Sequence, residues 1–477
     1  MKQKIQDELK QLKSDIRSIK SFREFIQYIP SSSLNRIAFW LLTALAASPL
    51  YVLLRSILLK YHDSFYLNDN QRTLGTYWVQ FIRFIGFSGI FLMLLVLWKN
   101  IIMHHQDKRL SKILKSHPVP LFLLLLLVWS VFSYAFSSNK TLSLYGTPYR
   151  NEGILTYFAY AGIFCCGYIL KEQRFRVNLM RIFVLSATIL SILMLINQPE
   201  LNLLLSFKYK AAMFQNINHY GYFLSLATML AAALSLREGR LNKASLFWLL
   251  PFAILVAALI TNKSFGPYVA VVMGLIFLFV LTFIYTKKAR LCAGILVLVF
   301  ILLSFGMNLK SNYLTQEAKT LTKDIVNIVE NNETAPKAGS NRWILWKLGI
   351  KYTLEKPIFG YGPENLQARY TLDNLNHDRP HNEFIQLSAS LGIPALVFYC
   401  CALFFFFLPL LKNMKKLNPE IIGLYAAILS YLASSFVGQS MYCSASFYFA
   451  FLGLTCHLFP PAGTQPASLA DKKQMPE

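Results

Sequence analysis

The stretch DRPHNEF places Asp378, Arg379, His381 and Glu383 within six positions, immediately before a long apolar run. An imidazole titrates near neutral pH, so His381 could act as a general base that takes a proton from an attacking hydroxyl group. Residues of these types are also common at the start of a helix, so capping of the following helix is the alternative interpretation. Judged on this stretch alone, capping is the more common role.

Arg379, His381 and Glu383 belong to a larger set of ionisable residues that collect at one end of the apolar segments of this chain. This set is Arg83, Arg150, Glu152, Lys208, Lys210, His219, Lys263, Arg342, Arg379, His381 and Glu383. The excess of cations suits a phosphate or diphosphate, and such cations would stabilise the charge of a departing diphosphate. A lipid-linked sugar diphosphate carries its headgroup at this depth. Arg150 and Lys263 could instead be ordinary interfacial residues whose charged ends reach water.

The elements that must position these residues are membrane helices. The chain is 55% hydrophobic and only 15% charged, and a spanning helix needs about 20 mostly apolar residues. These runs predict an all-α, polytopic membrane helix bundle of about twelve spans. The predicted spans are 37–59, 79–98, 118–137, 152–170, 177–197, 219–236, 246–262, 266–285, 290–309, 385–411, 420–437 and 442–459.

The net charge of +24 follows the membrane topology and requires no nucleic-acid partner. Lysine and arginine are concentrated in the N-terminal segment and in alternate short loops, which predicts that both termini are cytoplasmic. The predicted segments are a cytoplasmic basic amphipathic segment (1–36), nine spans (37–309), a large extracytoplasmic loop (310–384), three spans (385–459) and a disordered cytoplasmic tail (460–477). The amphipathic segment favours contact with the anionic inner leaflet, and a partner-binding helix is the alternative.

The large extracytoplasmic loop is expected to contain short helices. Its polar first part, residues 318–340, is expected to be loosely held. The tryptophan spacing in residues 341–356 predicts an amphipathic helix that ends before Pro357. The glycines of GYGPEN predict a turn, with Glu364 in the first turn of a further helix. The seven cysteines show no metal-ligand spacing and are interpreted as small buried residues.

Several of these motifs together carry a family resemblance. NRWILWKLGIKYTLEKPIFGYGPENLQARY, followed by RPHNEFIQLSASLGIPALVFY, resembles the O-antigen ligase and polymerase superfamily. The shared signature is an Arg–Trp helix, a turn of the form hP-hhGhG (h, hydrophobic) and a His-Asn motif that enters a span. YRNEGILTYFAY and AMFQNINHYGYFLSL are similar to earlier motifs of the family, so the resemblance touches most of residues 145–400.

The resemblance implies a glycosyltransferase of the bacterial cytoplasmic membrane with an extracytoplasmic active site. Such enzymes transfer a glycan from an undecaprenyl-diphosphate carrier, with inversion and without a metal ion or another cofactor. Ligases use a lipid or protein acceptor, whereas polymerases use another repeat unit, and the sequence leaves this choice open. The implied partners are the lipid-linked donor, a glycan, lipid or protein acceptor, membrane lipids and other proteins of a polysaccharide assembly system.

Carried over by motif, the family histidine falls on His381 and the loop arginine on Arg342, the two residues expected to be catalytic. A further family arginine commonly lies in a Ser-Arg-Gly stretch, but this chain reads KSFG and has Phe265 in that place. Lys263 is the candidate to supply the missing charge. The residues expected to bind the diphosphate or the glycan are Arg150, Lys263, Tyr361, Arg379, Asn382 and Glu383.

A transporter or flippase of lipid-linked sugars is the competing class, because twelve spans are equally ordinary there. Transporters tend to show repeated halves, broken helices and polar groups near the middle of the membrane. This sequence shows no clear repeat, and its polar groups gather on one side of the predicted spans. A pure scaffold would not require converging cations. The sequence therefore favours the glycosyltransferase.

Overall fold

The computed structural model describes residues 19–59, 70–103, 118–196, 214 and 216–459. Residues 1–18 of the predicted amphipathic segment and the whole predicted tail, 460–477, lie outside this range. The described residues are helical and contain no strand, which confirms the predicted all-α class. The α-helices are α1 (Phe22–Tyr28), α2 (Ser31–Leu59), α3 (Asn70–Met103), α4 (Pro118–Ala135), α5 (Lys140–Tyr145), α6 (Ile154–Ile169), α7 (Gln173–Ile196), α8 (Ile217–Leu236), α9 (Lys243–Asn262), α10 (Phe265–Tyr285), α11 (Arg290–Ser311), α12 (Tyr313–Val329), α13 (Arg342–Glu355), α14 (Leu366–Leu372), α15 (Glu383–Leu391), α16 (Ile393–Lys412), α17 (Pro419–Phe436) and α18 (Tyr442–Thr455).

Ten helices in the described part of the chain are long and apolar enough to cross a membrane. Each of them falls on a predicted span. The two remaining predicted spans coincide with the apolar helices α6 and α18, which have 16 and 14 residues. These two are shorter than the usual spanning length, so the total of twelve stays a prediction.

The centre of the bundle is α8, in which residues 219–236 are all buried. The sequence LATMLAAALSL supplies small side chains, which let helix backbones approach closely. At the contact with α17, a Cβ atom added to Gly423 would lie 2.1 Å from the Cβ of Ala233. No larger residue therefore fits at Gly423 without separating these two helices.

Helix α6 is held between α3 and α18 by glycine contacts on both sides. A Cβ added to Gly162 would lie 1.7 Å from the Gly86 carbonyl oxygen of α3, and one added to Gly167 would lie 2.2 Å from the Ala450 carbonyl oxygen of α18. These contacts fix the middle and the end of α6. Arg150, just before its start, is held by its own hydrogen bonds to Asp378 in the loop before α15.

The prediction that residues 318–340 are loosely held is wrong, because α12 extends to Val329 and a 3₁₀ turn follows at Ala335–Lys337. The Asn308 side chain fixes the start of α12 by accepting a hydrogen bond from the Leu314 amide at 2.9 Å. The helical spacing of Leu321, Ile325 and Val329 in this stretch is the sequence signal for α12.

In the rest of the loop, the predicted helix before Pro357 is confirmed, and the predicted position of Glu364 in the next helix is wrong. Helix α13 spans Arg342–Glu355 and ends before Pro357, as predicted. The following helix, α14, begins only at Leu366. Glu364 lies outside it, because its backbone is left-handed with φ of 63°.

The predicted span 385–411 is two helices, not one. Helix α15 ends at Leu391, Gly392 has φ of 89°, and α16 begins at Ile393 with a proline in its first turn. A Cβ at Gly392 would lie 1.9 Å from the Ile358 carbonyl oxygen, and the Ile393 amide donates to the Pro357 carbonyl at 2.7 Å. The loop before α14 therefore packs into the break, and α15 packs against α13.

Candidate active site

The residue that caps α15 is Asn382, not His381. Asn382 is the N-cap of α15, and its side-chain oxygen accepts hydrogen bonds from the amides of Phe384 and Ile385 at 3.0 and 3.1 Å. His381 has a left-handed backbone with φ of 55°, and its ring centroid lies 6.2 Å from that of His377. Capping is therefore the role of Asn382, and the imidazole of His381 is not used for it.

The surroundings of His381 keep its imidazole neutral at neutral pH. Burial lowers the pKa of His381 to about 4, and the positive charges of Arg342 and Arg150 add to this effect against the opposing charge of Asp378. A neutral imidazole can accept a proton, as a general base must.

Arg150 is a fixed, buried residue rather than one that extends to water. Its Nε donates to Asp378 Oδ2 at 2.7 Å and its Nη2 donates to Oδ1 at 3.1 Å, a bidentate pair. The amide oxygen of Gln439, turned toward the guanidinium, accepts from Nη1 and Nη2 at 2.9 and 3.0 Å. His219 Nε2 lies 3.4 Å from Nη1. Arg150 thus connects the start of α6 to the segment that carries His381.

Asp378 is ionised in this arrangement. Burial alone would raise its pKa, but the charge and hydrogen bonds of Arg150 outweigh burial and lower the pKa of Asp378 to about 2. The pair therefore stays charged across the physiological pH range, and the backbone before His381 is held at its position.

Arg342 has one guanidinium N–H group that is free to bind a ligand. It is the first residue of α13, and its Nη1 donates to the Gly339 carbonyl at 2.9 Å. Its buried Nε has no hydrogen-bond partner among the described residues. A helix start and an unpaired guanidinium donor are together a favourable place for an anion.

Arg379 forms a second charged group with three carboxylates. It is buried and makes an ion pair with buried Glu364. Glu383 accepts a hydrogen bond from the Ser440 amide at 2.8 Å, while Glu152 accepts one from the Tyr160 hydroxyl at 2.5 Å. The negative charges of Glu152 and Glu364 stabilise the positive charge of Arg379. Sequence reasoning did not identify Glu364 or Gln439 as site residues, because neither lies in a motif with a chemical signature.

A cavity of about 540 Å³ extends from this charged group along α6. Its polar lining includes Glu152, Arg379 and Glu383, and it reaches Tyr168 near the far end of α6. A helix of 16 residues rises about 24 Å, so the cavity follows most of the membrane thickness. The walls from α3, α4, α6, α15, α16 and α18 are mostly apolar. The cavity therefore combines one charged end with an apolar body.

Two predicted site residues, Lys263 and Tyr361, have their observed contacts elsewhere. Lys263 ends α9 with φ of 57°, and its Nζ lies 5.7 Å from the centroid of the Tyr313 ring. The Tyr361 hydroxyl donates to Glu355 Oε2 at 2.5 Å. Within the described part of the chain, neither residue forms a hydrogen bond or ion pair with residues 378–383. Their predicted roles therefore rest on the sequence alone.

No group of three or more His, Cys, Asp or Glu side chains within the described residues is arranged to hold a metal ion. The strongest electrostatic features of the site are therefore its arginines and the carboxylates around them. Arg150 and Arg342 come from two distant parts of the chain and lie near residues 378–383, the segment that carries Arg379.

The fold and the site define a multi-pass membrane protein with a basic, histidine-containing site beside a lipid-sized cavity. Residues 250–400 match the family model described as O-antigen ligase, a range that contains Arg342 and His381. This match supports the resemblance to the O-antigen ligase and polymerase superfamily that the motifs show. No curated protein matches the chain.

The family match and the apolar helices establish a coarse function. The protein is a glycosyltransferase-like enzyme of the bacterial inner membrane, of the O-antigen ligase or polymerase type, in cell-surface polysaccharide biosynthesis.

The pH dependence of transfer should reveal the neutral imidazole. We expect kcat/KM to be constant from about pH 8 to pH 5 and to fall below that, because His381 becomes protonated near its pKa of about 4. Arg342→Gln should move this acid limb to higher pH, since loss of the Arg342 charge favours the imidazolium. Arg342→Lys, which keeps a positive charge, should leave the midpoint nearer that of the wild type. A wild-type midpoint near 6.5 would show that the buried, cationic environment does not act on the imidazole of His381.

Proposed function

We propose that this protein transfers a glycan from an undecaprenyl-diphosphate carrier to an acceptor hydroxyl on the outer face of the cytoplasmic membrane. The cavity is the observation that carries this proposal. Its apolar body offers room for a lipid chain, and its charged end lies where Arg379 and Glu383 flank His381 in the sequence. An amphiphilic donor with a long hydrocarbon chain fits the apolar body, with its headgroup on the Arg379 side of the charged end, where Glu152 and Glu383 also lie.

In the proposed reaction, the carrier chain lies along α6 and its diphosphate lies beside Arg379 and Arg342. The unpaired Nε of Arg342 donates to a diphosphate oxygen. The ion pair with Glu364 holds Arg379 in place, while Arg150 and Asp378 hold the segment that carries His381. This division makes Arg150 mainly a positioning residue and Arg342 the more direct ligand of the diphosphate.

The chemical step is a displacement at the anomeric carbon of the glycan. The acceptor oxygen forms a bond to this carbon while its proton passes to the neutral imidazole of His381. The bond from the anomeric carbon to the phosphate oxygen breaks, and the diphosphate leaves with the electron pair. Attack on the opposite face inverts the anomeric configuration. The positive charges of Arg342 and Arg379 stabilise the leaving diphosphate, so we propose a metal-independent reaction.

The remaining predicted residues have supporting roles in this proposal. Asn382 orients His381 by capping α15, and Glu383 fixes the α17–α18 connection through the Ser440 amide. Lys263 and Tyr361 would contact the glycan farther from the reacting bond. The basic short loops support cytoplasmic termini, which leaves the site on the outer face. Donor and acceptor chemistry, and any partner proteins of polysaccharide assembly, belong to this same proposal.

Filling the cavity should weaken donor binding selectively. Ala161 lines the cavity on α6, and Ala161→Phe should raise KM for the long-chain donor about tenfold, a loss of about 1.4 kcal/mol of binding. A donor with a short, water-soluble carrier should be affected much less. Leu302→Phe, on the lipid-facing side of α11 where Leu302 is 59% exposed, is the matched control and should leave both KM values unchanged. Equal effects on the two donors would argue against a lipid chain in this cavity.

A further inference from the structure

Helix α12, in the loop between α11 and α13, carries an exposed apolar stripe. At 100° per residue, Leu314, Ala318, Leu321, Ile325, Ile328 and Val329 fall within one arc of about 100°. Leu321, Ile325 and Val329 are 48%, 53% and 78% exposed. The lysines, Glu317 and Asp324 occupy the rest of the helix surface. The stripe is continuous over most of the length of the helix.

The protein covers the edge of α12 that carries Asp324, where the stripe residues Leu314 and Ile328 are also partly covered, and it leaves Leu321, Ile325 and Val329 exposed. Asp324 accepts a hydrogen bond from the Gly339 amide at 2.8 Å, and Glu317 and Asn327 are partly covered. A helix on the water-exposed surface of a protein normally turns its apolar face inward. The exposure of Leu321, Ile325 and Val329 indicates that this part of the stripe meets an apolar environment outside the chain.

The start of α12 lies at the outer end of a membrane-spanning helix. Asn308, in the last turns of α11, accepts from the Leu314 amide and donates to Thr315 Oγ1 at 2.8 Å. Asn312 has φ of 53°, so the chain cannot continue along the axis of α11. The lipid-facing residues Phe305 and Leu309 are 63% and 69% exposed just before this turn. The stripe therefore begins next to the surface that α11 presents to lipid.

We propose that α12 lies along the membrane surface and inserts its apolar stripe into the outer leaflet. The stripe contacts the acyl chains of the lipid bilayer. Because it is continuous with the lipid-facing side of α11, lipid is favoured over a protein partner. Lys319 and Lys323 lie on the polar side, as in amphipathic helices that bind membranes. The inference does not depend on the reaction that the site catalyses.

The anchored helix would also set the depth of the site. The Gly339 amide donates to Asp324 of α12, and the Gly339 carbonyl accepts from Arg342 Nη1. This short chain of contacts links the membrane-bound helix to Arg342, the first residue of α13. Insertion of α12 would therefore hold Arg342 at a fixed distance from the lipid headgroups.

Fluorescent labelling of full-length protein in phosphatidylglycerol–phosphatidylethanolamine liposomes tests this inference. In a chain whose seven native cysteines are replaced, an NBD probe at Leu321→Cys or Ile325→Cys reports on the stripe. Gln316→Cys and Thr320→Cys, on the opposite side of α12, are the matched controls. We expect nitroxide lipids to quench the stripe positions about fivefold more than the controls, and aqueous iodide to show the reverse preference.

Two results would overturn the proposal. Equal iodide quenching at all four positions would place the stripe in water, and protection of the stripe from both quenchers would show that protein covers it. If the cysteine-free chain does not fold, Ile325→Trp and Gln316→Trp in the native chain provide the same comparison with brominated lipids. Bromolipid quenching that increases for Ile325→Trp alone supports insertion, and equal quenching of the two variants contradicts it.

Discussion

His381→Asn should slow glycan transfer about 10²–10⁴-fold, the usual contribution of a positioned general base. Asparagine is the appropriate replacement because His381 has φ of 55°, a backbone conformation that asparagine tolerates better than most residues. The variant therefore removes the imidazole and keeps the local backbone. We expect the loss in kcat, with little change in KM for the donor, because the proposed diphosphate ligands are arginines.

The matched control for this variant is His377→Asn, in the same loop and 6.2 Å from His381 between ring centroids. His377 has no assigned role, and its replacement should change the rate by less than about threefold. His381→Ala should lose as much activity as His381→Asn and should in addition be less stable, because alanine is strained at a left-handed position. Similar rates for His377→Asn and His381→Asn would remove the proposed base from the mechanism.

Arg379→Met should have the largest effect on stability, a loss of about 3–5 kcal/mol in the free energy of unfolding. Arg379 and Glu364 are only 4% and 7% exposed. Without the arginine, Glu364 would be left buried without its counter-ion, and the carboxylates of Glu152 and Glu383 would also lose a positive neighbour. Thermal unfolding of the purified protein in detergent measures this effect, together with the yield of folded protein.

Two further variants determine whether the loss comes from the buried pair. Adding Glu364→Gln to Arg379→Met should restore part of the stability, because the uncompensated charge is removed. Arg369→Met breaks the more exposed Arg369–Glu355 pair, whose atoms lie 2.9 Å apart, and should cost less than about 1 kcal/mol. Equal losses for Arg379→Met and Arg369→Met would show that the buried cluster is not a major source of stability.

The membrane architecture could be predicted because its signal is local. A run of about 20 apolar residues is sufficient evidence for a spanning helix, and the start of α13 and its end before Pro357 follow from spacing and proline chemistry. The break at Gly392 could not be predicted in the same way. It depends on the approach of Ile358 from a distant part of the loop, and a short apolar run before a glycine and a proline fits one helix or two.

The candidate site was predictable where a motif carried it and not where packing created it. His381 and Arg342 lie in family motifs, and the Asn382 cap has a local signal, an asparagine before an apolar run. The Arg150–Asp378 pair joins residues 228 positions apart, so only the packing of α6 against the loop reveals it. The substitution of Phe265 in the KSFG stretch suggested Lys263 as a replacement cation, but Lys263 lies over the Tyr313 ring.

Product analysis with purified protein in liposomes most directly tests the proposed reaction. The donor is a radiolabelled glycan on undecaprenyl diphosphate, offered with candidate acceptors that include a second donor molecule. We predict a new glycosidic bond, inverted anomeric configuration in the product and release of undecaprenyl diphosphate, with His381→Asn inactive at unchanged fold. Movement of intact donor across the membrane without a glycosidic product would instead indicate a flippase and contradict the account.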